Sequence, residues 1–292
     1  MTLKIMGRVI MRWYTHLVID SFPQLLRAHR TRRRWSQEAL ALEARVSPRH
    51  VSCLETGKAR PSREMVVQLA RALGLELRER NALLVGAGFV GIYPSTPLDG
   101  KTMAPVNSAV AFLLAQHEPY AALLMDRCWN VLRLNDGARR LLGTFLDAST
   151  LPPVIAQNLI RAALHPEGLR RYVVNWAEVA ALVLERLERA CHAHPADDER
   201  RALLEEVLSY PDVANISWIA PSGVPVATLH LRRGEDELRL FALLTSIGTP
   251  LDVTTDGLTL ESLFPTDGAT ERWFRSPAGG VKKRRFRPTS IA

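Results

Sequence analysis

The sequence predicts an α+β multidomain chain: an N-terminal all-α bundle built round a helix-turn-helix, followed by an α/β domain with an antiparallel sheet. Three observations carry this expectation. Residues 36–61 read as two short capped helices. Beyond residue 105, short apolar runs flank a helical middle, and the basic charge gathers at the ends of the chain.

In SQEALALEARVSPRHVSCLETGKARP, Gln37 opens the first short helix; Leu40, Ala41 and Ala44 give it a buried face and Val46 plugs the turn. Ser47 is a favoured N-cap, and Pro48 suits the position after it because its missing N–H would be unpaired there anyway. Val51 and Leu54, three apart, face the core of the next helix and leave Arg49, His50, Ser52 and Cys53 outward as candidate base readers. Upstream, PQLLRAHRTRRRW supplies an amphipathic helix with Leu25 and Leu26, then a basic loop at Arg32, Arg33 and Arg34. Downstream, Gly57 suits a left-handed helix end, and Ser62 caps a helix carrying Met65, Val66, Leu69 and Leu73. Helix starts and the loop after a reading helix approach the DNA backbone, so Gln37, Lys58, Arg60 and Arg63 are expected on phosphates.

Residues 22–89 resemble the lambda-repressor-like DNA-binding domain of the xenobiotic-response-element family of bacterial regulators, on the order SQ, VS, LE-x-G and RPS. The resemblance implies a five-helix helix-turn-helix bundle, double-stranded DNA as partner, and a structural ion pair between Arg30 and Glu55. The usual small residue of the turn, often Gly, is Arg45 here. A non-glycine residue at positive φ carries a steric cost.

Charge agrees with this division. Residues 1–80 hold 16 basic against 7 acidic residues, a net +9, and the tail from residue 281 adds five basic residues. With +8 on the whole chain, the stretch between carries −6. One module faces phosphate and the other does not.

No run approaches the ~20 apolar residues of a membrane span, and Arg8 and Arg12 interrupt any signal-peptide core, so no membrane and a cytoplasmic location are expected. Residues 1–21 read as an extension outside the fold and 276–292 as a disordered basic tail. Cys53, Cys128 and Cys191 lack CxxC spacing and histidine partners and read as reduced thiols. The HAHPADD segment reads as a helix end with a solvated acidic cap at Asp197, Asp198 and Glu199; no metal and no cofactor are expected.

Residues 90–105 collect glycines and prolines and read as an ordered linker to a domain at 106–275. That domain starts with a helix bearing Val106, Val110, Leu113 and Leu114. A strand hairpin over AALLMDRCWNVLRLN follows, then helices marked by Ala138, Leu141 and Leu142, by Ile155, Leu159 and Ala162, by Trp176, Val179, Leu182, Val183 and Leu187, and by Leu203, Leu204, Val207 and Leu208. Strands are expected in ISWIA, VATLHLRR and LRLFALLTSI, and Leu258, Leu260 and Leu263 close the ordered part. A two-strand start, a helical middle and a three-strand finish is the order of a PAS-like α/β sensor domain.

HEPYAALLMDRCWNVLRLN, LHPEGLRRYVVNWAEVA and GTPLDVTTDGLTLESLFPTD are similar to the MmyB-like ligand-binding domain that follows a helix-turn-helix in a group of bacterial regulators. The resemblance implies a small hydrophobic ligand, fatty-acid-like in part of the family. Tyr120, Arg127, Trp129, Asn135, Asn175 and Trp176 are the candidate ligand contacts, since a pocket needs aromatic walls with a few polar anchors. The competing reading makes Trp129 and Trp176 core aromatics, Asp126-Arg127 a turn and Asn175 a helix N-cap. No GxSxG, P-loop, GxGxxG after a strand or HExxH is present, so no enzyme is expected. The chain is expected to be a homodimeric, ligand-sensing transcription regulator. The alternative is a DNA-binding adaptor whose second domain only dimerises or binds a partner, which a tightly packed sheet face would favour.

Overall fold

The computed structural model describes residues 21–147, 150–194, 197–216 and 225–276. The chain forms two compact units that divide between Pro94 and Ser95.

Among the described residues, five helices build the first unit: α1 (Phe22–Arg32), α2 (Gln37–Glu43), α3 (Pro48–Glu55), α4 (Arg63–Ala72) and α5 (Leu77–Gly86). Ser36, Ser47 and Ser62 cap α2, α3 and α4 through their side chains, each accepting from the backbone N–H three residues on. Phe22, Leu26, Leu40, Val51, Leu54, Val66, Leu69, Leu83 and Leu84 interlock beneath them with almost no exposure. Four of the five helices end in one device, a left-handed residue whose N–H and that of its successor return to the last turn: Arg34 and Trp35, Arg45 and Val46, Gly74 and Leu75, Gly88 and Phe89. Gly57 after α3 is also left-handed, at φ 71°. Arg34 and Arg45 hold this conformation, at φ 57° and 52°, with a side chain that resists it.

The linker expected at 90–105 is divided between the units. Asn81 of α5 binds the backbone at Ile92 and Tyr93, whereas Thr96 donates to the Asp252 carboxylate of the second unit. Lys101–Met103 is a 3-10 turn that leads straight into α6 (Ala104–Gln116).

In the second unit, β1 (Ala122–Met125) and β2 (Val131–Leu134) form the expected hairpin. Then come α7 (Asp136–Phe145), two short helices α8 (Pro153–Ala156) and α9 (Leu159–Leu164), α10 (Trp176–Ala193) and α11 (Asp198–Leu208). β3 (Leu229–Arg233), β4 (Asp236–Ser246), the short α12 (Val253–Asp256), β5 (Thr259–Pro265) and α13 (Gly268–Arg275) complete it. The sheet is antiparallel in the order β2-β1-β5-β4-β3. Residues 217–220 of the expected ISWIA strand lie outside the described residues. The third strand of the finish is instead β5, and α13 adds a helix where no element was expected. A lone carboxylate in LTLESLFP masked the first pattern, and the charged, short segment GATERWFR the second.

Strand alternation gives the sheet two different faces. Leu123 and Met125 of β1, Leu238 and Leu240, and Leu263 face an inner core shared with α7 to α11. Ala122, Leu124 and Leu260 face the other side, against Val110 and Leu114 of α6. Leu113, expected to face inward with them, is 42% exposed.

Glycine at residue 45 removes the Cβ clash of a left-handed residue at the cost of a looser unfolded chain. Arg45→Gly is therefore expected to stabilise the first unit by about 1 kcal/mol. Denaturant unfolding checks this, and a destabilised Arg45→Gly would mean that the Arg45 side chain contributes more than the strain removes.

Candidate nucleic-acid interface and ligand-binding domain

On α3, Val51 and Leu54 are fully buried, Arg49 is exposed, and His50, Ser52 and Cys53 are half-buried at the surface. Ser47 and Pro48 are exposed at its start, and Lys58, Arg60 and Arg63 are exposed in and beyond the loop that follows. Each of these sequence-expected DNA contacts therefore reaches the surface, and Gln37 is half-buried. Arg63 also lies over the Phe89 ring, 5.6 Å from its centroid.

Gln37 is engaged within the bundle. Its side-chain N–H donates to Glu55 Oε2 at 2.8 Å, and the same carboxylate takes Arg30 Nε on Oε1 at 2.6 Å and a second guanidinium N–H on Oε2 at 2.9 Å. A further Arg30 N–H donates to the Trp35 carbonyl. α1, α2, the basic loop and the end of α3 thus meet at one carboxylate, whose side chain is only 3% exposed. Burial alone would push the Glu55 carboxyl up. The hydrogen bonds from Arg30 and Gln37, and the charges of Arg30 and Arg27, outweigh it and hold the group below its ordinary 4.5.

The second domain spends most of the expected ligand contacts on its own architecture. Asn135 is the clearest correction: Oδ1 accepts from Ala122 and from Ala138, capping α7, while Nδ2 donates to Leu114 and Tyr120 carbonyls. Nothing remains for a ligand. Arg127 pairs with Asp197 and Glu199. Burial of Arg127 works against its charge, yet these partners raise its pKa further. Asp197 was expected in a solvated cap; it does cap α11, accepting from Arg200 N, but its side chain is 8% exposed and locked to Arg127. Cys128, Asp197 and Glu199 come close enough to hold a metal ion, but Arg127 already places a cation among these carboxylates, and burial pushes the Cys128 thiol up to about 12.

Asp126 Oδ1 accepts from Cys128 N and Asn130 N, closing the hairpin turn in which Trp129 sits buried at φ 60°. Tyr120 packs edge-on against Phe274, and its hydroxyl meets Glu271 and Arg275. Asn175 stands before α10 without capping it; Nδ2 donates to Thr228 O and Oδ1 accepts from His230 N, pinning the helix start to β3. Trp176 lies beneath Arg170, 3.8 Å from the ring centroid, and its buried indole N–H has no partner.

Two groups missed in the sequence lie on the inner face. Glu261 shares that face with Leu263 two residues on, is 8% exposed, and meets Arg186 of α10 at 3.3 Å. Burial raises its pKa, opposed by Arg186. Arg186 also lies over Trp129. The lone acid inside LTLESLFP was the available signal. On α10, Ala180, Ala181, Leu184 and Leu187 are buried, and Trp176, Val179 and Val183 pack half-buried against the same core.

Residues 106–276 match the MmyB-like transcription regulator ligand binding domain and residues 22–83 a helix-turn-helix domain. The chain belongs to the MmyB-like transcription regulator family. Comparison with curated proteins gave no match. The families found are those of regulators, not enzymes. Among the described residues no helix is long and apolar enough to cross a membrane.

Removing Arg30 leaves the Glu55 charge buried without its main partner, so Arg30→Ala is expected to cost about 3 kcal/mol. Because the folded pKa of Glu55 is depressed, its contribution is full above its ordinary 4.5 and is lost as the pH falls through the folded value. Thermal unfolding of the first unit between pH 7 and pH 3 should therefore show a steeper acid loss in the wild type than in Glu55→Gln. Parallel pH profiles would remove Glu55 from this role.

Proposed function

We propose that this regulator reads specific sites in double-stranded DNA as a homodimer, with α3 in the major groove. Its C-terminal domain, PAS-like in placing a helical layer between a first hairpin and three later strands of one sheet, senses a small hydrophobic ligand of fatty-acid type. Arg49 is the base-reading candidate, and Lys58, Arg60 and Arg63 hold phosphates.

The observation that carries the sensor reading is an uncovered strip of the inner sheet face. α10 is tied at its start to β3 through Asn175 and near its middle to β5 through Arg186 and Glu261. β4 runs between those strands. On β4, Leu244 opposite Glu261 and Ala242 opposite Leu263 point to the inner side, yet Leu244 is 49% exposed and Ala242 is exposed. Val179 and Val183 of α10 pack half-buried against the inner core and Arg186 reaches Glu261, giving an aliphatic wall with a cation at its end. An adaptor needs a closed sheet face; this strip favours a sensor.

Arg49→Ala is expected to cost about 1–3 kcal/mol on the preferred site and to relax one base position, while Lys58→Ala weakens all sequences alike. Equal losses on specific and random DNA for Arg49→Ala would remove it from base reading. A saturating long-chain fatty acid should shift site affinity by roughly 5–150-fold at fixed salt, the range of typical coupling energies. Leu244→Arg should abolish that shift. An acyl ligand that binds without moving DNA affinity would favour the adaptor.

A further inference from the structure

Helix α6 has an outer surface that a free solvent-facing helix does not have. No residue from Thr102 to Gln116 carries a charge, and beyond Val110 and Leu114, which pack on the sheet, most positions are exposed. Phe112 is 62% and Leu113 42% exposed. Surface helices carry polar residues on the side away from the core, and a helix apolar all round is normally covered on all sides. Beside this surface, Ala111, Leu114, Val131, Leu132, Arg133, Leu134 and Arg139 line a groove of about 210 Å³. Arg133 is held by Asn107, and Arg139 by Asp136, at its edges.

We propose that α6 is a homodimer interface in which Phe112 of each copy enters the groove beside Ala111 of the other. The occupant follows from self-complementarity. A twofold contact sets each patch against itself, so a charge near the axis would meet its own copy; α6 offers none. An apolar cavity of ~150 Å³ accepts benzene, so the groove is large enough for a phenyl ring. The flank between knob and groove, at Ala104, Ser108, Ala111 and Ala115, is built of small residues that allow a second helix to approach closely. Knob and groove adjoin, with Ala111 and Leu114 of the groove on the same helix as Phe112, so the exchange can close in a pair rather than propagate into a chain. A helix of 13 residues is roughly 20 Å long, which makes this smaller than a standard interface burying ~800 Å² per partner. The dimer is therefore expected to depend on concentration.

The proposal specifies the dimer of the functional reading above, and its test separates the two. Sedimentation equilibrium of the full-length protein at tens of micromolar should give a dimer. Phe112→Asp and, independently, Ala111→Trp, which fills the groove, should shift it to monomer, with the unfolding midpoint and the fatty-acid affinity unchanged. Ala111→Trp guards against a folding defect in Phe112→Asp. A wild-type monomer would overturn the interface, leaving α6 to another occupant, and a dimer that survives both substitutions would place the twofold elsewhere. Fatty-acid binding that persists in the monomeric variants leaves the sensor reading standing.

Discussion

One buried carboxylate organises the DNA-reading unit. Glu55 closes α3, and on it converge Arg30 from α1 and Gln37 from the first position of α2, while Arg30 also holds the loop carbonyl of Trp35. The angle between the two helices of the motif is thus fixed from beneath by charge-assisted hydrogen bonds, not by apolar packing alone. Directional bonds suit this place, because a reading helix displaced by an ångström no longer aligns its side chains with base edges. The same bonds tie Gln37, at the first position of α2, to the packing of α3.

The second domain follows a different logic. Its polar interior is spent on joining layers: Asn135 ties α6, β1 and α7, Asn158 ties the hairpin turn to α9, and Asn175 ties α10 to β3. With those amides fully engaged, the inner face is left with one less satisfied group, Glu261, facing Arg186 beside an open aliphatic strip. A buried carboxyl with a single long-range partner is costly, and such groups collect where a ligand or a proton is handled.

Much of this was legible in the sequence, for physical reasons that differ by element. α2, α3 and α4 were readable because Ser36, Ser47 and Ser62 are side-chain caps at fixed distances from apolar pairs. The hairpin was readable from its two apolar runs, split by Asp126, Arg127 and Cys128. β5 and α13 were not, since Glu261 interrupts one run and a charged, amphipathic eight-residue segment forms the other. The ligand residues were the least legible. Trp, Asn and Arg serve equally as cap, core or pocket, and only the hydrogen-bond inventory separates Asn135, which is spent, from Trp176, whose N–H has no partner.

The account rests on a regulator that carries its signal as a small apolar molecule in the second domain. Native mass spectrometry of the purified full-length protein tests this most directly, since it reads stoichiometry and bound mass together. The account predicts a dimer carrying a small apolar molecule that is lost in Leu244→Arg. A bare chain that takes up no added fatty acid would contradict it.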